Sequence, residues 1–409
     1  MKSKKLVVFG LGARGNFYAS FAKKYPDKFD LVAIIENNKE RIECARTQFP
    51  NVEIYDDYHT FLTKNVQADI VAISTQDSAH KEHAIAMMEA GYDLLLEKPI
   101  ANTREECLEI YETSKRCGRK VIVCHVLRYS PFYSALKKEI AAGKLGEVVT
   151  IHASENVGYF HQAHSFIRGP WRNTRESSPM ILAKCCHDMD ILRYLMGEKC
   201  ESVSSYGSLF YFNKEHAPEE STAYCSDCKI EGCPFNAQKI YTSRNGDFFA
   251  NYFTTKAHTR ENILNDLRYS AYDRCVFRCD NDVVDHQVTA IQFANGKTAT
   301  HSMTAFSQKI YRDIKIYGTK AELVGVMENN AYEIRYFDGR TEKVEVNISV
   351  ADIGGHNGGD FFMMNNLYKE MNGEKAEGIT YLDVSIESHL MSFAAEESRL
   401  NKGKAVAVW

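Results

Sequence analysis

LVVFGLGARG, residues 6–15, decides the fold. A short apolar run ends in Gly10-Leu11-Gly12-Ala13-Arg14-Gly15, and an amphipathic pattern follows. A run of this kind reads as a strand buried on both faces of a parallel sheet. LVAII (31–35), DIVAIS (69–74), DLLL (93–96) and VIVC (121–124) repeat it, with helical stretches such as 79–90 and 103–117 between them. This alternation predicts a doubly wound Rossmann sheet over residues 1–124. Glycines at this spacing, leaving a strand and opening a helix, let backbone amides approach a pyrophosphate at the helix N-terminus. Glu36 closes the second strand, where an acid accepts ribose hydroxyls and repels a 2′-phosphate. Asn37 and Asn38 follow it rather than an arginine pair, so the sequence predicts NAD over NADP. Gly10, Gly12, Ala13, Arg14, Gly15 and Glu36 are the candidate cofactor residues of this segment.

The remaining composition excludes several classes. With 409 residues the chain has room for two domains. A net charge of -4 gives no polyanion-binding surface, so no nucleic-acid partner is expected. No apolar run approaches a membrane span, and the opening MKSKKLVVFGLG is too short an apolar run for a signal peptide. A cytoplasmic location without membrane contact is the expectation. There the twelve cysteines should be thiols unless they bind metal.

Further on comes ISTQDSAHKEHAIAMMEAGYDLLLEKPIA (73–101). It resembles the Gfo/Idh/MocA family of nicotinamide-dependent oxidoreductases, whose segment runs T-P-x-x-x-H, then a helix, then E-K-P. Thr75, His80, Glu97, Lys98 and Pro99 match, and Gln76 stands where the family has proline. The resemblance implies that Thr75, His80, Glu97 and Lys98 lie at the cofactor and that Lys98 is catalytic. The physics agrees, because ligands of such sheets sit outside the carboxyl ends of the strands. An amine near a cationic nicotinamide should relay a proton or orient a hydroxyl.

From about residue 125 longer alternating strands appear, at 147–157, 201–212, 285–293, 298–306, 311–318 and 331–348. Asn295-Gly296 and Asp338-Gly339 between them are hairpin signals. They predict a second, α+β domain over 125–409 with an open, mostly antiparallel sheet, interrupted by a cysteine-containing insertion at about 213–284. A large open sheet face would need cover, so a homo-oligomer, dimer or tetramer, is expected. Arg128 and Tyr129 resemble the family's R-[FY] pair at the cleft floor. GYFHQAHSFIRGPWRN (158–173) reads as a loop over the cleft, with His164, Arg168 and Trp171 as sugar contacts. GGHNGGD (354–360) reads as a glycine-rich turn before a helix near Phe361, with Asp360 as its N-cap.

ILAKCCHDMDIL (181–192) mixes a lysine, two cysteines, a histidine and two aspartates. On a continuous helix over 181–196, Lys184, His187 and Asp190 share one side, and Cys185 and Cys186 fall on the apolar side. That argues for buried thiols and against a Cys-His metal cluster or a thiol nucleophile. Lys184 would pair with Asp188 at the surface. The family carries its catalytic histidine here in D-x-x-x-H-x-x-D. His187 and Asp190 match, and Ala183 replaces the leading aspartate. The resemblance makes His187 the general base and a substrate contact, with Lys184 as a stand-in for the missing acid.

YCSDCKIEGCPF (224–235) places Cys225, Cys228 and Cys233 at spacings suited to a structural zinc, with Cys275 and Cys279 further on. The function expected is an NAD-dependent dehydrogenase or reductase acting on a hydroxyl or ketone of a sugar, sugar derivative or cyclitol. Two alternatives stand beside it. One keeps NAD bound and cleaves or modifies a glycoside by transient oxidation. The other is a non-catalytic sugar- or nucleotide-sensing regulator on the same scaffold.

Overall fold

The computed structural model describes residues 2–244, 246–254, 256–348 and 355–409. The chain forms two compact units. The first comprises residues 1–139, 189–195 and 346–390, the second 140–188, 196–345 and 391–409. The boundary expected at 125 therefore does not divide the chain once. Two later segments return to the first unit, because its sheet needs cover that its own crossover helices do not fully supply.

The first unit holds six parallel strands, β1 (Lys4–Phe9), β2 (Phe29–Ile35), β3 (Glu53–Tyr55), β4 (Ile70–Ile73), β5 (Leu94–Leu96) and β6 (Val121–Val123). Their order is β3-β2-β1-β4-β5-β6, the doubly wound arrangement. The topological switch falls at β1, beside β4. β3 was not read from the sequence, being only three residues long. β4, β5 and β6 are apolar on both faces and fully buried, and β1 and β2 are buried over their carboxyl-terminal halves. The late helix Gly359–Met371 lays Met363, Met364 and Leu367 on a core shared with Leu6, Val8, Phe29 and Ile70. Each such buried side chain contributes roughly 1.5–3 kcal/mol.

The second unit holds nine strands: β7 (Val148–Asn156), β8 (Cys200–Ser208), β9 (His286–Phe293), β10 (Thr298–Thr304), β11 (Tyr311–Gly318), β12 (Ala321–Val326), β13 (Ala331–Tyr336), β14 (Thr341–Glu345) and β15 (Val406–Ala407). They run β14-β13-β12-β11-β7-β10-β9-β8-β15. Pairing is antiparallel except between β7 and β10. β9 alternates exposed and buried residues throughout, the mark of a sheet with one covered and one open face. Both hairpin signals hold. Asn295 and Gly296 have φ of 64° and 74°, the conformation a tight β9–β10 turn requires. Gly339 has φ of 91° between β13 and β14.

The insertion builds its own aromatic core from Phe212, Phe235, Tyr241, Phe249 and Phe277. The segment expected as a loop over a cleft instead winds into the helical turns Tyr159–His161 and Gln162–Arg168, the latter with π-type hydrogen bonding. Every residue of the latter is buried.

Candidate active site

The first unit brings most of the expected cofactor residues to the carboxyl ends of β1, β2, β4 and β5. Gly10 has φ of 88°, and a Cβ on it would lie 2.8 Å from the Ser74 carbonyl oxygen. A Cβ on Gly15 would lie 1.8 Å from the Gly10 carbonyl oxygen. The protein's own packing demands these two glycines. A Cβ on Gly12 would meet nothing within 4 Å, and Gly12 stands at the N-cap of the helix Ala13–Lys24. The residues thus leave an open cradle at a helix N-terminus, which fits a dinucleotide pyrophosphate.

Glu36 is buried, and its carboxylate accepts the Leu11 amide at 2.6 Å and the Asn38 amide at 2.9 Å. Arg41 stands 3.6 Å from it. The acid is thus pinned against the glycine loop, with a lone pair on each oxygen left for a ribose hydroxyl.

Arg14 does more than open the helix. Its guanidinium pairs with Glu97 and, at 2.8 Å, with Asp360. Tyr18 also donates its hydroxyl to Glu97. Burial, the largest single influence, would raise the Glu97 pKa, but Arg14, Tyr18 and Lys98 together hold the carboxyl below its ordinary value. Asp360 is therefore an ion-pair partner in the first turn of its helix, where Gly358 occupies the N-cap expected for it. Gly354, the first residue of that turn, lies outside the described residues.

Lys98 follows β5 and is half-buried. Thr75 meets His83 through its hydroxyl, 3.0 Å from Nδ1. His80 is fully buried, with Nδ1 2.8 Å from the Pro99 carbonyl oxygen and Nε2 3.3 Å from that of Thr75. Its ring joins two loops rather than facing a ligand surface. Arg128, expected to touch substrate, is buried and bidentate on Asp190 at 2.6 and 2.5 Å. The Nε–Nη2 edge of its fork is thus committed to a carboxylate. Asp190 thereby belongs to the first unit and is not part of a line with Lys184.

The second unit carries Lys184 and His187. The helix expected over 181–196 is broken. Met180–Ala183 forms one turn, and Cys186–Met196 starts anew after Lys184 and Cys185. His187 sits in the first turn of the new helix and is buried. Lys184 lies 3.4 Å from Glu155, not beside Asp188. Asp188 is buried and receives Arg312 Nε at 2.8 Å. Arg312 also pairs with Glu155 on β7. Burial opposes the charge on Asp188 most strongly of any single influence, yet Arg312, His301 and Lys184 together lower its pKa. Cys185 and Cys186 are fully buried, as the sequence predicts. Burial pushes the Cys185 thiol up, so it is no nucleophile.

Cys185, Asp188 and His301 gather ligand atoms within 4.8 Å of one another, the one such group among the described residues. Arg312 already neutralises the carboxylate of that group, leaving a metal cation poorly matched to it. The insertion thiols do not meet the same distance criterion among the described residues. Cys225, Cys228, Cys233 and Cys275 line one small hollow, but zinc is not supported there. The insertion is packed around its aromatic core.

His164 and Arg168 pack against the insertion. His164 is buried, stacked on Tyr272 at 4.6 Å and on Phe249 at 4.2 Å, with Nδ1 2.9 Å from the Tyr241 hydroxyl. Arg168 donates to the Arg274 and Phe235 carbonyls at 2.6 and 2.7 Å. Both tie the 158–173 segment to the insertion. Trp171 is half-buried, near Phe166.

Comparison with known proteins agrees with this geometry. Residues 4–125 match the family model described as "Oxidoreductase family, NAD-binding Rossmann fold". Residues 137–399 match its partner, "Oxidoreductase family, C-terminal alpha/beta domain". The chain belongs to the Gfo/Idh/MocA family, as an NAD-binding oxidoreductase. YteT of Bacillus subtilis (strain 168) is 24% identical over 396 residues, 89% of this chain and 88% of that protein. Inositol 2-dehydrogenase of Paracoccus denitrificans (strain Pd 1222) is 28% identical over 197 residues, 47% of this chain and 54% of its own. The chain thus spans about half the length of that inositol dehydrogenase. Among solved structures, levoglucosan dehydrogenase in complex with NADH and levoglucosan superposes with a TM-score of 0.71 at 19% identity, over 100% of both chains. No helix among the described residues is long and apolar enough to cross a membrane.

Proposed function

We propose that the protein oxidises a secondary hydroxyl of a sugar, sugar derivative or cyclitol with NAD, or reduces the corresponding ketone. The observation that carries this reading is the open Gly12 cradle with Glu36 pinned beside it and Lys98 just past β5. The inositol and levoglucosan dehydrogenases among its relatives support the substrate class.

NAD, when bound, supplies the hydride acceptor. Gly12 and the helix N-terminus hold its pyrophosphate, and Glu36 holds the adenine ribose. Thr75 and Glu97 shape the loops around it. His187 is the proposed base at the reacting oxygen. Lys98 orients that oxygen and relays its proton. Lys184 tunes the acid side of the relay through Glu155. Trp171 remains the proposed substrate contact of the 158–173 segment. The open face of the second sheet exposes Val149, Tyr206 and Val288, and this supports a homo-oligomer.

Incubation with NAD and a panel of sugars and cyclitols, followed at the NADH absorbance band, tests the proposal. A substrate-dependent rise supports it. Turnover of a glycoside with bound NAD and no net NADH would favour the redox-assisted cleavage instead. No turnover of any kind, with sugar binding retained, would favour a sensor.

A further inference from the structure

We infer that His389 and His80 position Lys98, by holding the two ends of the Pro99–Ile100 peptide group between two buried imidazoles. The inference deepens the proposed function and rests on Lys98 as its proton-handling amine.

His389 lies on the helix Leu382–Leu400 and is fully buried. Its Nε2 is 2.9 Å from the amide nitrogen of Ile100. An amide can only donate, so Nε2 accepts and the ring proton sits on Nδ1. Nδ1 faces the Ser385 carbonyl oxygen at 3.3 Å and the Ser388 hydroxyl at 3.3 Å. One neutral tautomer satisfies both sides. At the other end of the same peptide His80 donates from Nδ1 to the Pro99 carbonyl.

These two bonds do the work of a missing ladder. β5 ends at Leu96 and β6 pairs only as far as that residue. Pro99 has no amide to offer. The buried Pro99 carbonyl and Ile100 amide therefore turn to side chains. Lys98 is the next residue along, so its backbone goes where the two rings hold the loop.

The His389 bond works only when that ring is neutral. A protonated His389 would point a second donor at the Ile100 amide. Burial drives its pKa down to about 3. The charged and titratable groups around it are His125, whose ring centroid is 5.3 Å away, and also Asp190 and Lys98. His125 is itself buried and held well below its ordinary pKa by burial, then by Arg128 and Lys98. Asp190 is bound to Arg128.

The test compares His389→Leu with His389→Gln in the full chain. Glutamine can place an amide oxygen where Nε2 accepts, and leucine cannot. Acetylation of Lys98 by trace acetic anhydride, followed against pH by mass spectrometry, reads the lysine directly and needs no substrate. His389→Leu should change the Lys98 labelling rate at pH 8 severalfold, and His389→Gln should restore it. NADH affinity by fluorescence titration should stay within about threefold in both. Turnover on the best substrate of the panel should fall about 10²-fold in the leucine variant, the cost of a displacement near 1 Å, at nearly constant KM. A leucine variant whose Lys98 labels as the parent does would overturn the inference, whatever its turnover. Altered labelling with unchanged turnover would uphold the clamp and remove Lys98 from the proposed mechanism. If the leucine variant does not fold, His80→Leu against His80→Asn gives the same reading, because asparagine can keep a donor at the place of Nδ1.

Discussion

The two proposed catalytic elements are held by opposite kinds of chemistry. Around Lys98 the holding groups are imidazole rings, those of His80 and His389, which meet the Pro99–Ile100 peptide at its two ends. Around His187 they are charges: Lys184, Glu155, Arg312 and Asp188 form a buried ionic lattice at the start of its helix. A neutral ring such as His389 places a loop without altering the local field, which suits a lysine whose proton must move. A charged lattice fixes a helix strongly but exacts desolvation, and it fails badly when one member is removed. The comparison therefore sets which variants should break function and which should break the fold.

Gly12→Val should have the largest effect, loss of measurable NADH binding. Its φ is ordinary and a Cβ meets no protein atom there, so the chain should still fold. Retained NADH binding by fluorescence titration would place the dinucleotide elsewhere.

Lys98→Ala and His187→Ala should come next. Each should lower turnover by about 10²–10⁴-fold, the contribution of a positioned acid or base. Groups of one relay fail together, so the double variant should be far less than the product of the two losses. Simple multiplication of the losses would mean that the residues serve separate steps.

Arg312→Met should test the charged side of the comparison. It strands Asp188 and Glu155 in the interior, and chemical denaturation should record a loss of about 3–5 kcal/mol. A variant as stable as the parent would mean that solvent or Lys184 replaces the guanidinium.

The neutral side has its own, smaller signature in pH. His389 and His164 have pKa values lowered to about 3 by burial. The unfolded chain binds these protons near pH 6.5 and the folded chain does not. Stability from these rings is therefore full above about pH 6.5 and is lost as pH falls toward 3. The slope is up to about 1.4 kcal/mol per pH unit for each ring. Urea midpoints from pH 7 to 5 should show it, and His389→Gln should flatten it. An unchanged slope in that variant would mean that His389 is accessible to protons in the folded state.

Cys185→Ser and Cys186→Ser should move turnover least, by no more than a few-fold, while lowering the melting temperature. Both thiols are packing groups at zero exposure. Lost activity at unchanged stability would reinstate a chemical role for one of them.

The sequence by itself determined the parallel sheet, the glycine loop with Glu36, the place of Lys98, both hairpins and the buried thiols. All of these rest on local periodicity or on a conformation that one residue type supplies. Tertiary structure alone decided what each polar side chain faces. Asp188 meets Arg312 across 124 positions, and Ile100 meets His389 across 289. Lys184 turns to Glu155 because the helix breaks before Cys186, which a regular helical wheel cannot anticipate. His164 and Arg168 look like ligand contacts in the sequence because their chemistry suits a sugar. They became core groups because an aromatic insertion folded over them and put carbonyls, a tyrosine, a thiol and ring faces within reach. A side chain's capacity to bind is written in its type, whereas its partner is set by whichever donor or acceptor folding leaves beside it in the absence of water.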